Sequence, residues 1–223
     1  MVRKQFDALL KELYEDVLKM GAVAEGMVKC AITALSDQDV KLAEKVIQDD
    51  DIVDQMEIEI QNKCVEMIVL QQPVAKDIRV LASTFKFISN FERIADLAVN
   101  LSKKTIELSS ERYIKKLVDL PRIAQKALEV VNIAIRAYID EDVLRDFDRI
   151  NKLEQDIDDL NVQVYRECVA LMMENTRNIK QCISFITMAN MLERIGDHGT
   201  NIFESIYYII TGDYKDMKDI EIS

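Results

Sequence analysis

Chain-breaking residues are scarce: five Gly, two Pro and no Trp in 223 residues. A turn-rich β architecture needs Gly, Asn or Pro at its reversals, so that class is excluded. Long apolar runs are also missing. The longest, Cys168 to Met173, and the aromatic-rich Ile206 to Ile210 fall far short of the roughly 18 residues a membrane-spanning helix requires. Basic residues are outnumbered, 29 Lys+Arg against 40 Asp+Glu for a net charge of −11, which excludes a broadly basic nucleic-acid surface. Arg3 and Lys4 open the chain, but Glu12, Glu15 and Asp16 interrupt any secretory apolar region, so a cytoplasmic location is expected. The four cysteines, Cys30, Cys64, Cys168 and Cys182, show no CxxC spacing and are expected to be reduced and packed. There is no glycine-rich phosphate loop, no Gly-x-Ser-x-Gly and no Cys/His constellation, so catalysis by a nucleophile has no candidate.

What remains, 49% hydrophobic and 31% charged, suits long amphipathic helices. Apolar residues at Phe6, Leu13, Val17, Met20, Ala24, Met27, Ala31 and Leu35 keep a 3-and-4 spacing that predicts a first long helix. Ser36-Asp37-Gln38-Asp39 breaks that stripe and offers N-caps for a second helix reaching about Leu70, where Gln71-Gln72-Pro73 stops it. A third helix follows, with the stripe Ile78, Leu81, Phe85 and Ile88. After Ser109-Ser110 and before Pro121 the pattern restarts, predicting helices over about Pro121–Ile139, Asp142–Met173 and Thr176–Ile210.

The second half echoes the first. Asp50, Asp54 and Cys64 fall opposite Glu154, Asp158 and Cys168 at an offset of 104, and Glu92 and Asp96 opposite Glu193 and Asp197 at an offset of 101. Long helices joined by short connections favour antiparallel neighbours. The expectation is an all-α tandem of two antiparallel three-helix bundles, residues 1–112 and 113–223.

Four acid pairs stand out. Glu92/Asp96 and Glu193/Asp197 continue the apolar stripes of the third and sixth helices, and Asp50/Asp54 and Glu154/Asp158 lie beside those of the second and fifth. Like charges at i, i+4 repel across one helix face, and burial would add a desolvation cost. A cation relieves both. Oxygen-only ligands suit Mg, Mn, Ca or Fe and admit Zn, without thiolate chemistry. One cation site is expected at Asp50, Asp54, Glu92 and Asp96, and a second at Glu154, Asp158, Glu193 and Asp197. Asn100 and Asn201, one turn further on, are candidate carbonyl ligands or hydrogen-bond donors to the acids.

Other readings compete. Arg93 and Arg194 could neutralise acids of neighbouring helices without metal. A carboxylate-bridged metal-dependent hydrolase would need an open coordination position and a substrate pocket. A purely structural helical spacer would leave the acids solvated. His198 follows Asp197 directly and so points about 100° away from it, which makes it a weak ligand candidate. A lone histidine also lacks the two Glu-x-x-His motifs of a ferritin-like di-iron centre. Gly196 and Gly199 are expected where a partner helix approaches closely.

The segments Glu92-Arg93-Ile94-Ala95-Asp96 and Glu193-Arg194-Ile195-Gly196-Asp197 resemble the paired ERIxD motifs of the PhoU family, and Gln72-Pro73-Val74-Ala75-Lys76-Asp77-Ile78-Arg79 its QPxAxDLR segment. Asp50/Asp54 and Glu154/Asp158 match its further E/DxxxD positions. The second copy departs from the pattern, carrying Glu174-Asn175-Thr176 where the QP pair would stand. The resemblance implies a regulator of phosphate homeostasis with multinuclear metal clusters on its surface. It also implies that such a protein dampens starvation signalling through the phosphate transporter's ATPase and a membrane sensor histidine kinase. It would be cytoplasmic, homodimeric, and at the membrane only through those partners.

Overall fold

The computed structural model describes residues 2–71, 73–140 and 146–217. Its elements are α1 (Val2–Asp37), α2 (Val40–Gln71), α3 (Ala75–Leu108), α4 (Asp119–Asp140), α5 (Phe147–Glu174) and α6 (Ile179–Thr211), with a 3-10 turn at Thr176–Asn178. They form two antiparallel three-helix bundles, α1–α3 and α4–α6, which pack together through α3 against α6 and α1 against α4.

The expected breaks are refined by local chemistry. Ser36 stays inside α1, its hydroxyl donating to the Ile32 carbonyl at 2.9 Å, and Asp39 is the residue that caps α2, accepting the Leu42 N–H at 3.1 Å. Gln38 between them takes a left-handed φ of 53°. Its side-chain amide donates to the carbonyls of Leu108 (3.3 Å) and Glu111 (2.9 Å), tying this turn to the end of α3. The fourth helix starts at Asp119, two residues before the expected Pro121, and the sixth starts at Ile179 because Thr176–Asn178 forms the 3-10 turn. The expected start of the fifth helix near Asp142, and Gln72 of the QP segment, lie outside the described residues.

The connection from α3 to α4 is pinned from both bundles. Tyr113 donates its hydroxyl to the Leu35 carbonyl at 2.8 Å. Gln181 of α6 accepts the Ile114 N–H at 3.0 Å and donates to the Arg112 carbonyl at 3.0 Å. Gly199 lets α4 and α6 meet: a Cβ there would stand 3.0 Å from the Val131 backbone nitrogen and 3.0 Å from Val130 Cγ1. Cys64, Cys168 and Cys182 are buried, Cys30 is half-buried, and all four are free thiols.

Past α6 the chain reverses at Gly212, whose φ of 83° is left-handed. Residues 213–217 then fold back along the bundle. Met217 is buried and donates its backbone N–H to Glu204 at 2.7 Å. Lys86 of α3 lies 4.0 Å from the Tyr214 ring centroid.

Candidate functional site: two acidic hairpin faces

Each bundle contains a hairpin, α2–α3 or α5–α6, whose facing helices present acids. In the first, Asp50 and Asp54 of α2 come against Glu92 and Asp96 of α3. Partial burial holds the Asp50 carboxyl above its ordinary range, with Asp54 and Asp96 adding repulsion and Lys103 offsetting part of it. Glu92 is raised in the same way, by burial first and then by Asp96, with Glu57 and Asp54 adding to it and Arg93 opposing. Arg93 lies 3.4 Å from each of Glu92 and Asp96, so it answers the acids of its own helix rather than those of a neighbour.

In the second hairpin, burial followed by Asp158 and Asp197 pushes the Glu193 carboxyl up, against a hydrogen bond that Asn161 donates to it. Glu154 accepts the Thr200 hydroxyl at 2.7 Å. It shares with Asp197, Asn201, Glu204 and Asp216 a cleft of about 340 Å³. Glu204 is buried there, and burial raises its carboxyl against the Met217 hydrogen bond.

The expectation that the ERIxD acids lie within the buried stripe needs correction. Glu92 and Glu193 are half-buried, Asp96 is half-buried and Asp197 exposed, while Asp54 and Asp158 are exposed. The acids occupy the edge of the stripe. The stripe itself does not run the whole helix, since Ile78 and Ile179 are both 41% exposed. Asn100 is half-buried one turn past Asp96; Asn201 is exposed, with its amide 3.5 Å from the Asn90 side-chain oxygen. His198 turns away from the acids, as its register requires, and its Nδ1 meets Asn90 of α3 at 2.9 Å.

Among the described residues no three His, Cys, Asp or Glu side chains converge as a ready-made coordination sphere. The donor set nevertheless fits a hard cation. Carboxylates from two helices face one another; at Asp50, Glu92 and Glu193 burial raises the carboxyl and the neighbouring acids add to it, and a divalent or trivalent ion would reverse the sign of that repulsion. Side chains that sequence reasoning passed over also belong here. Glu57 lies at i+3 from Asp54, and Asn161 is its repeat equivalent. Glu204 takes the position that Lys103 holds in the first copy, and Asp216 comes from beyond the last helix.

The fold and these faces define a class: a twice-repeated helical bundle with an oxygen-rich acidic face on each repeat. The PhoU domain pattern matches residues 17–105 and 120–206, one stretch in each bundle. The chain belongs to the PhoU family. It is 34% identical over 220 residues to the phosphate-specific transport system accessory protein PhoU homolog of Clostridium acetobutylicum, covering 98% of this chain and 100% of that protein. It is 33% identical over 208 residues to the phosphate-specific transport system accessory protein PhoU of Edwardsiella tarda, covering 93% and 85%. The crystal structure of PhoU from Pseudomonas aeruginosa superimposes with a TM-score of 0.88 at 32% identity, over 93% of this chain and 100% of that one.

Proposed function

We propose that this protein is a non-enzymatic, metal-binding negative regulator of phosphate uptake and phosphate-starvation signalling. The observation that carries the reading is the acid face built twice on a chain that matches phosphate-specific transport system accessory proteins along nearly its full length. In this reading Asp50, Asp54, Glu92 and Asp96 hold one metal centre, and Glu154, Asp158, Glu193 and Asp197 another, with Asn100 and Asn201 at their margins. The metal is Fe, Mn, Mg or Zn, and clusters of more than one ion are what the family resemblance implies.

The protein acts by docking onto the phosphate transporter's ATPase and a sensor histidine kinase in the cytoplasm. No described helix is long and apolar enough to cross a membrane, and a net charge of −11 is repelled by anionic lipid. Membrane proximity therefore comes through protein partners, and nucleic acid is not one of them. The same reading takes residues 1–112 and 113–223 as the two units and the working form as a homodimer, which sedimentation would check.

The experiment is a deletion strain grown in ample phosphate. Starvation genes should switch on, wild type should silence them again, and a Glu92→Gln/Glu193→Gln variant should silence them less. A deletion that leaves both phosphate uptake and starvation-gene expression unchanged would contradict the regulatory reading.

A further inference from the structure

The seam between the bundles, where α3 packs against α6, carries charge opposite to that of the acidic faces it divides. Three contacts fix its register: the Ser83 hydroxyl with the Ser205 carbonyl at 3.4 Å, Asn90 with His198 at 2.9 Å, and Asn90 with Asn201 at 3.5 Å. Residue numbers rise along α3 as they fall along α6, so the two helices are antiparallel. Arg93 lies three residues beyond Asn90 on α3, and Arg194 lies one turn before His198 on α6. In an antiparallel pair those two steps reach the same level of the seam. Each arginine is the second residue of its ERIxD segment, so the repeat itself brings the pair together.

The electrostatics agree with that placement. Burial holds the His198 imidazole below its ordinary range, and Arg194 and Arg93 both add to the effect, so the charge of Arg93 is felt across the seam. Arg93 is 57% exposed, and its acids, Glu92 and Asp96, stand at 3.4 Å, longer than a close charge-assisted hydrogen bond. Arg194 is exposed and has no hydrogen bond or ion pair among the described residues. The neighbouring polar groups are committed. Asn90 donates its amide to the Lys86 carbonyl at 2.8 Å and offers its oxygen to His198 and Asn201. Lys86, two turns back, lies over the Tyr214 ring. The donors left at this level are the two guanidiniums, with five N–H groups each.

Glu92 and Asp96 on one side and Glu193 and Asp197 on the other would repel an anion as free carboxylates. Cations on those acids invert the local sign and release Arg93 from its loose pairs. Two guanidinium forks from opposite helices then suit a doubly charged tetrahedral oxyanion, which can take paired N–H donors on both sides. A planar monocarboxylate would fill one fork only.

We infer that Arg93 and Arg194 form an oxyanion site for a phosphoryl group, free phosphate or a phosphate monoester, which assembles when the flanking acids hold metal. This rests on the metal-binding reading proposed above and adds a second ligand coupled to it. By linkage, metal and oxyanion each raise the other's affinity by the same factor.

The test uses full-length protein loaded with Mn, desalted, and counted for Mn by mass spectrometry before any titration. Calorimetry then follows inorganic phosphate and, separately, a phosphoserine peptide and its unphosphorylated form. At least one phosphorylated probe should bind wild type, the tighter of the two identifies the source, and the unphosphorylated peptide should not bind. Arg93→Gln/Arg194→Gln should keep its Mn and its melting temperature, since both side chains are exposed and neither is a metal ligand, while its affinity for the phosphorylated probe falls at least about tenfold. Chelated wild type should bind that probe at least about tenfold more weakly than loaded wild type. Mn-loaded wild type that binds neither phosphorylated probe would overturn the inference. So would equal affinity in a double variant that holds equal Mn, which would place the phosphoryl group on the metal and not on the arginines. Wild type that holds no Mn would overturn the metal-binding reading and this inference with it, and the Mn count taken first separates that failure from the others.

Discussion

Removing one negative charge from an acidic face should stabilise the metal-free protein, and Glu193→Gln is the sharpest case. Glu193 is half-buried, Asp197 stands one turn further along α6, and Asp158 faces it from α5. Because its carboxyl is held above the ordinary glutamate range, the stability it contributes is fully present below that range. That contribution is lost as pH rises through the folded value. At pH 7 the charged form is therefore a cost, and Gln removes it while keeping a carbonyl oxygen for the Asn161 amide. A like-charge i, i+4 pair costs about 0.2–0.5 kcal/mol, and with Asp158 added the gain should be about 0.5 kcal/mol. For a chain of this size that raises Tm by about 1–2 °C. Calorimetry after exhaustive chelation, at low ionic strength, reads it directly. The gain should shrink at pH 4, where the wild-type carboxyl is protonated, and in molar salt, where repulsion is screened. A variant that is equally or less stable than wild type at pH 7 without metal would refute the reasoning.

Two glycines should respond in opposite directions. A Cβ added at Gly26 of α1 would have nothing within 4 Å of it, so Gly26→Ala should stabilise by about 0.5–1 kcal/mol. Gly199→Ala meets the Val131 backbone nitrogen at 3.0 Å, and overpacking of about 1–3 kcal/mol should outweigh the same helical gain; paired urea melts would check both signs. Burial pushes the Cys64 and Cys168 thiols up to about 12, so neither should react with a thiol reagent in the native protein at pH 8. Both should react on unfolding, as mass spectrometry of the labelled protein would show.

Helix positions are legible in the sequence because six amphipathic stripes leave little choice once Gly and Pro are scarce. The tandem repeat is legible because the same acids recur at fixed offsets. The depth of those acids is not, for a physical reason. Continuing the stripe through Glu92 and Glu193 assumes that every residue in register is buried, yet Ile78 and Ile179, at the opposite end of the same stripes, are exposed. One of the missed residues does carry a signal: Glu57 shares the face of Asp50 and Asp54, but at i+7 and i+3, where a search at i+4 passes over it. Glu204 is hidden because the repeat breaks there, with Lys103 in the other copy. Asp216 has no readable signal at all, since it reaches the cleft through the reversal at Gly212, and helical periodicity ends before that turn.

Whether the two acidic faces are cation sites is tested most directly by counting metal. Protein purified without chelator should be analysed by inductively coupled plasma mass spectrometry as wild type, Glu92→Gln, Glu193→Gln and the double variant. Bound metal in wild type, a partial loss in each single variant and near-complete loss in the double variant are the predicted pattern, since the sites lie on separate hairpins and should empty independently. Wild-type protein that holds no metal even after incubation with Fe, Mn, Mg and Zn, or a double variant that holds as much as wild type, would contradict it.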